Sequence, residues 1–513
     1  SSDLEMYLSM LNKIYLCLVL SCILALSAGQ RKILFSSFPG SDSRNEVMIS
    51  IANKIAEDPQ YKCYGLLHYS DYHIWRHTNC KLIIYGNKTE YLNVVYESEK
   101  AVSESFMNGF QSFKNMIDKI MRDFREDMAL ERIEEIGIDM MFCDIWSYPC
   151  LLASQHLNIS RHITLNPVCA GNILNLMETH PSYIPTFNTQ YSTEMTFAER
   201  FINVVNTYIM KTFMVEFWEL IHKKFMAIDR DHWANKYILR ADGLFMQQCV
   251  PGFNYAEYKP PNSIDVGYIG AKASRDITDN IDHFTSLYDK IIYISIGTNE
   301  GFSDFNLENL VYSFEQLSNI GFILKIGERN DRNITFSKNV LTVVNPPEEI
   351  ILESNKTILY VTHGGWNSIL RGLNHGIPLL VFGWAYDRGT HARLVEYRGV
   401  GEIILTQKEA TPNNIFAKIQ KLINTNKYAT NAEKISRVIR AKDSRAFIKD
   451  WVDFYFDFGV DNLIVKSFYQ KGTIEYYNID VICVIALVHI LLLWMLKKVI
   501  VKCCVGKRKV KTE

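Results

Sequence analysis

The sequence predicts an α/β fold of two parallel-sheet domains followed by one membrane-crossing helix, and three observations carry that expectation. Short apolar runs alternate with segments of helical periodicity along most of the chain, the pattern of parallel sheets covered on both faces. A stretch rich in Pro and Gly interrupts the alternation near its middle. Close to the C-terminus, the apolar run Val481–Val501 reaches the roughly twenty residues that cross a bilayer. At 513 residues the chain is long enough for two substantial cores.

The elements follow in order. Lys32–Phe38 is a first strand, and Glu46–Ala56 has the apolar spacing of a helix. Cys63–Tyr69 and Lys81–Tyr85 are strands, Glu97–Glu135 is mostly helical, and Ile138–Cys143 is another buried strand. Ser160–Leu165 and Leu244–Phe245 continue the sheet. Between them Phe197–Tyr237 carries aromatic and Met residues at helical spacing, a packing face rather than a cofactor site. Pro251, Gly252, Pro260, Pro261 and Asn262 place a linker around Pro251–Asp289. In the second half, strands are expected at Ile291–Ile296, Phe322–Ile326, Val340–Val344, Ile358–Val361, Pro378–Phe382 and Glu402–Leu405, with helices from about Asn431 to Phe458 near the domain interface. The expected divisions are 29–265 for the N-terminal domain, 266–478 for the C-terminal domain, 479–501 for the transmembrane helix and 502–513 for a basic cytosolic tail.

Residues 1–28 are expected to be a signal peptide with a few residues upstream of Met6: Lys13 precedes the apolar Ile14–Leu26, and the small residues Ser27, Ala28 and Gly29 follow. Lys502, Lys507, Arg508, Lys509 and Lys511 beyond the second apolar run place that end in the cytosol, so the main body is expected in the lumen of a type I, single-pass protein. The ending Lys509-Val510-Lys511-Thr512-Glu513 is similar to a dilysine signal that returns proteins to the endoplasmic reticulum, and equally fits a plain basic stop-transfer tail. Sequons at Asn87, Asn158, Asn333 and Asn355 fit a lumenal glycoprotein. Six cysteines fall in that body (Cys63, Cys80, Cys143, Cys150, Cys169 and Cys249), where disulfides are permitted but their pairing is open. A net charge of -1, with basic residues clustered only at the extreme C-terminus, points away from nucleic acid.

Chemistry concentrates at Thr362-His363-Gly364-Gly365-Trp366-Asn367-Ser368, followed by His375-Gly376-Ile377-Pro378 and Asp387. An apolar strand ends in a glycine turn and a helix begins, so bare backbone amides and a helix N-terminus are presented to an anionic phosphate. This ordered set resembles the donor-binding signature of the membrane-anchored UDP-glycosyltransferases, and the likeness extends over most of the chain. The resemblance implies two Rossmann-like domains facing a cleft, the GT-B arrangement, with a UDP-sugar held by the second domain as co-substrate and no separate cofactor or metal.

Residue by residue, the resemblance puts His363, Gly364, Gly365, Asn367 and Ser368 on the diphosphate. Gly297-Thr298 resembles the family's Gly-Ser phosphate loop, and by itself is an ordinary turn. Asn345-Pro346-Pro347-Glu348 occupies the place of the family's Trp-x-Pro-Gln segment, so the surface that stacks on uracil is missing and the Glu348 carboxylate is expected to face the base. Arg371 stands where the family has a ribose-binding Glu, and an Arg cannot accept from ribose hydroxyls. Asp387-Arg388 matches the family's sugar-binding Asp-Gln. Asp387 can accept from sugar hydroxyls. Arg388 suits either a hexuronate carboxylate, favouring UDP-glucuronate, or a surface salt bridge.

The family's catalytic pair is a His after the first strand and an Asp that orients it. Asp144 matches the Asp and also suits a loop or capping carboxylate. The Pro39-Gly40-Ser41-Asp42-Ser43 run puts Ser43 in the His position, and a hydroxyl is a poor base. Asp42, or a Ser43–Asp144 relay acting on an acidic phenol, are the substitutes within the run. His68, His73 and His77 offer no evident rescue, although His73 and His77 have metal-like i, i+4 spacing. His180-Pro181-Ser182-Tyr183-Ile184-Pro185 resembles a motif of the family's acceptor domain. The implied activity is inverting transfer of a hexosyl or hexuronosyl group to a hydroxyl of a small lipophilic compound. The rival expectation is a catalytically impaired member that binds UDP-sugar or a partner subunit, as a homo- or hetero-oligomer. A dinucleotide oxidoreductase is disfavoured because no G-x-G-x-x-G follows a strand.

Overall fold

The computed structural model describes residues 29–87, 106–169, 181–186, 189–210, 243–270, 279–295, 304–326, 335–384, 387–464 and 478–509. The expected signal segment, Gly297, Thr298, Asn333 and the last four residues lie outside them.

Two parallel sheets organise the chain. The first has seven strands in the order β3-β2-β1-β4-β5-β6-β7: β1 Arg31–Ser36, β2 Tyr61–His68, β3 Lys81–Tyr85, β4 Met140–Asp144, β5 Arg161–Asn166, β6 Leu244–Gln247 and β7 Ser263–Asp265. The second has six, in the order β10-β9-β8-β11-β12-β13: β8 Ile291–Ser295, β9 Gly321–Ile326, β10 Val340–Val344, β11 Thr357–Thr362, β12 Leu379–Phe382 and β13 Gly401–Ile404. In each sheet the strand order reverses direction beside its first strand, between β1 and β4 and between β8 and β11. Ligands of doubly wound sheets bind outside the carboxyl ends of strands at such switch points. Those ends carry the segment leading to Ser43, Asp144 and His363.

Strands β4, β8 and β12 are buried along their whole length, which explains their unbroken apolar sequences. Helix α1 (Asp42–Ala56) begins four residues before its apolar periodicity, because Asp42 and Ser43 form a polar first turn. Its Val47, Met48, Ile51, Ala52 and Ile55 recur at helical spacing and are buried against Ile33 and Phe35 of β1. Burying each large aliphatic side chain contributes about 1.5–3 kcal/mol. The short helix α2 (Tyr72–Trp75) follows β2; α3 (Phe106–Glu126), α4 (Ala129–Ile136) and α5 (Tyr148–His156) follow in the first half.

The second half adds α6 (Asp279–Ser286), α7 (Asp304–Gln316), α8 (Glu348–Glu353), α9 (Trp366–Asn374), α10 (Arg388–Tyr397), α11 (Pro412–Asn424) and α12 (Asn426–Arg440). Strand β7 and helix α6 both fall inside the stretch expected to be linker. Strand β7 follows Pro260-Pro261 and has only three residues, too few to show alternation. Helix α13 (Ser444–Phe458) starts at Asp443, whose side chain accepts from the Arg445 and Ala446 amides. It crosses back to the first sheet, where Ile448, Val452 and Tyr455 join the core of Ile33 and Met48, and Arg31 pairs with Asp457 at 2.8 Å. Last, α14 (Ile479–Lys509) contains 22 residues, Ile479–Ile500, with mean hydropathy 2.7 and no burial, long and apolar enough to cross a membrane.

Candidate active site

The donor turn is built as a strand, two glycines and a helix start. Gly364 has φ +89, and a Cβ there would lie 2.9 Å from Val381 Cγ1 and 3.3 Å from the Arg388 Cβ. Only glycine fits that backbone. Gly365 caps α9 without any side-chain bond to the helix amides, so the N-terminal N–H groups are not used up by a capping side chain. Burial, with the Arg388 charge acting in the same direction, lowers the His363 pKa to about 3, so its imidazole is neutral near pH 7. Arg388 and Asp387 stand at the start of α10, across from Gly364, and Asp387 Oδ2 is 3.7 Å from His391 Nε2.

Asn367 bridges the two halves. Its Oδ1 accepts from Gln248 Nε2 at 2.9 Å, and its Nδ2 donates to the Ser43 carbonyl at 3.2 Å. Gln248 is fully buried; its carbonyl accepts from Trp366 Nε1 at 2.9 Å and its Oε1 from the Ile269 amide at 2.8 Å. Sequence reasoning missed Gln248, although two adjacent glutamines ending an apolar strand were the available signal.

At the expected nucleoside end, Glu348 does not stand open to a base. Its oxygens are held by Lys325 at 2.6 Å and by Arg371 at 2.7 Å. Arg371 also donates to Glu349 at 3.0 Å and reaches Glu46 of α1 at 3.3 Å, while Glu349 takes His375 at 2.8 Å and the Tyr268 hydroxyl at 3.2 Å. Burial by itself would raise the Glu348 pKa; Arg371 and Lys325 overturn that and bring it to about 2. The two departures from the family pattern are therefore partners of each other, and Arg371 satisfies carboxylates instead of ribose.

A second pairing occupies the catalytic end. Asp144 is 1% exposed at the end of β4, and both its oxygens accept from Arg44 NH1, at 3.0 and 3.1 Å. The Trp146 amide donates to it at 2.8 Å. Burial raises the Asp144 pKa, opposed by Arg44. Ser43 is exposed, and among the described residues no hydrogen bond joins its side chain to Asp144. The carboxylate thus serves the residue after Ser43, not Ser43. Two disulfides brace this rim: Cys143–Cys150 ties β4 to α5, and Cys169–Cys249 ties the segments after β5 and β6.

Behind the rim, fully buried Asp71 accepts from the Gly40 amide, and burial lifts its carboxyl to a pKa of about 8. His68 is buried against Asp123 and Ser70, a core role. Helix α2 ends at Trp75, so His73 and His77 share no helix face, and His77 accepts from Arg76 at 3.0 Å.

Comparison with known proteins finds relatives over most of the chain. A family model described as UDP-glucoronosyl and UDP-glucosyl transferase matches residues 76–511. UDP-glucuronosyltransferase 1A6 of Mus musculus is 22% identical over 433 residues, 81% of this chain and 76% of that one. UDP-glucuronosyltransferase 2A3 of Homo sapiens is 22% identical over 371 residues, 69% and 68% of the two chains. Among solved structures, the glycotransferase of kitacinnamycin aligns with TM-score 0.61 at 17% identity over 83% of this chain and 98% of its own. The calicheamicin glycosyltransferase CalG4 aligns with TM-score 0.54 at 14% identity, over 83% and 98%. At such identities the solved structures speak to the fold, which is GT-B.

Proposed function

The chain belongs to the UDP-glucuronosyl and UDP-glucosyl transferase family, and from that premise we propose that it transfers a hexosyl or hexuronosyl group from a UDP-sugar, with inversion, to a hydroxyl of a small lipophilic acceptor. The observation that carries this reading is the uncapped glycine turn at the end of β11, with neutral His363 beside it and Arg388 across it. A diphosphate there receives backbone amides at a helix N-terminus, and the Ser368 hydroxyl is a donor within the same turn. Gly297 and Thr298 are assigned to the same phosphates, and Asp387 and Arg388 to the sugar. Asp144 and Ser43 hold the family's catalytic positions.

We further propose that the chain is anchored by α14 in the endoplasmic reticulum membrane with its main body in the lumen. The 22-residue apolar span, the basic residues beyond it and two disulfides in the body support that reading.

A second reading, an impaired member that binds UDP-sugar or supports a partner subunit, has its own observation: Arg44 already occupies Asp144, and Glu348 is consumed by Arg371. Turnover separates the two. UDP release is measured with UDP-glucuronate and with UDP-glucose against a panel of phenols and sterols. The transferase reading expects acceptor-dependent release, with UDP-glucuronate preferred if Arg388 pairs its carboxylate. Absence of release with every acceptor, while UDP still binds, replaces it by the second reading.

A further inference from the structure

We infer that His73, paired with Asp42, is the general base that takes the acceptor's proton, filling the role left empty at Ser43. The inference rests on the transferase reading above and names the group that reading lacks.

His73 lies on α2, directly after β2, the strand next to β1, and so at the same carboxyl edge as Ser43. Its Nδ1 is 2.9 Å from the Ser70 carbonyl. A carbonyl can only accept, so Nδ1 carries the hydrogen and Nε2 keeps the lone pair. Nε2 is 3.8 Å from Asp42 Oδ1, and the His73 side chain is 57% exposed, so a small molecule can reach it. Asp42 is the first residue of α1, adjacent to Ser43, whose carbonyl touches Asn367 of the donor turn. His73, Asp42, Ser43 and the donor turn therefore follow one another along a single rim.

That relation is held in place from two sides. The Gly40 amide donates to the Asp71 carboxyl at 2.9 Å, tying the segment before α1 to the residue before α2. Trp75 Nε1 donates to Asn45 Oδ1 at 2.6 Å, tying α2 to α1. A histidine at position 43 would have its partner in Asp144, but Arg44 has taken that carboxylate. For His73 the Ser70 carbonyl orients the ring through Nδ1, and Asp42 places an anion 3.8 Å from Nε2.

In the step, the acceptor O–H bond breaks and its proton passes to His73 Nε2. The oxygen's electron pair forms the bond to the anomeric carbon. The bond from that carbon to the diphosphate breaks, and its electron pair leaves with UDP. The new Nε2–H points to the acceptor oxygen it came from, and the Asp42 carboxylate, 3.8 Å from Nε2, stabilises the imidazolium through space.

The test uses the full chain in detergent, with turnover and calorimetric UDP titration on the same preparations of the wild type, His73→Ala and His77→Ala. His73→Ala is expected to lower kcat by on the order of 10²-fold while KM for the UDP-sugar and the UDP affinity stay within about 2-fold. Added imidazole is expected to recover part of the lost rate, and His77→Ala to match the wild type. An active wild type with an unchanged His73→Ala variant overturns the inference and leaves the transferase reading standing. A loss that imidazole does not recover also overturns it, because a merely structural histidine would behave that way. A wild type that binds UDP but turns over no acceptor overturns both.

Discussion

Replacing Arg371 with alanine is expected to destabilise the fold by about 3–5 kcal/mol, the usual cost of removing one partner from a buried ion network. Arg371 is 14% exposed at its side chain, Glu348 11% and Glu349 18%, so solvent cannot replace the lost guanidinium. Lys325 would still pair with Glu348, and His375 with Glu349, which keeps the loss near the lower bound. Thermal unfolding should fall by on the order of 10 °C. The pH dependence has a definite sign. In the wild type, the depressed Glu348 pKa stabilises the fold above the ordinary carboxylate range, and that contribution is lost as pH falls from there through about 2. Without Arg371 both carboxyl pKa values rise relative to the wild type, so the variant's deficit should shrink as acidification protonates its carboxylates before those of the wild type, above the wild-type Glu348 value of about 2. A deficit that stays constant over that range would mean the network is not buried as described. Because Arg371 also reaches Glu46 on α1, the same variant should loosen the contact between the two sheet domains.

The second large effect concerns the catalytic rim. Ser43→His alone is expected to raise turnover only slightly, because the Asp144 that would orient the new ring is already held at both oxygens by Arg44. Measured in a His73→Ala background, where no other base masks the gain, Ser43→His combined with Arg44→Gln should exceed Ser43→His by roughly 10-fold or more, since an oriented base is worth about 10²–10⁴-fold and a misaligned one far less. Gln is chosen because it can still donate to a carboxylate that is 1% exposed, limiting the cost of an unpaired buried charge. The diagnostic quantity is the coupling between the two changes. If Ser43→His gives the full gain by itself, Arg44 does not block Asp144 and the description of the rim is wrong.

Much of the fold was legible in the sequence because both sheets are parallel and buried on both faces. Runs such as Ile291–Ser295 and Leu379–Phe382 announce themselves by composition alone. The donor turn was legible for a different reason: a strand, two glycines and a helix start are contiguous in the chain, and Gly364 at φ +89 fits few other readings. What stayed hidden was long-range pairing. Arg44 meets Asp144 across 100 residues, which no local pattern shows, and Arg371 meets Glu348 across 23, so these two departures from the family pattern read as isolated when they are halves of one compensated pair. Gln248 and Asn367 are 119 residues apart and were unconnected for the same reason. His73 offers no evident rescue in the sequence, since nothing in its neighbourhood there shows that Asp42 lies against it. The disulfide pairings, like the return of α13 to the first sheet, depend on tertiary placement that periodicity cannot supply.

Calorimetric titration of the full chain with UDP, wild type against Gly364→Ala, decides whether the glycine turn at the end of β11 cradles a diphosphate. Saturable single-site binding is expected for the wild type, with loss or severe weakening in the variant, where a Cβ would press on Val381 and strain a φ of +89. No heat and no thermal shift for the wild type at millimolar UDP, or equal binding by both proteins, would contradict it.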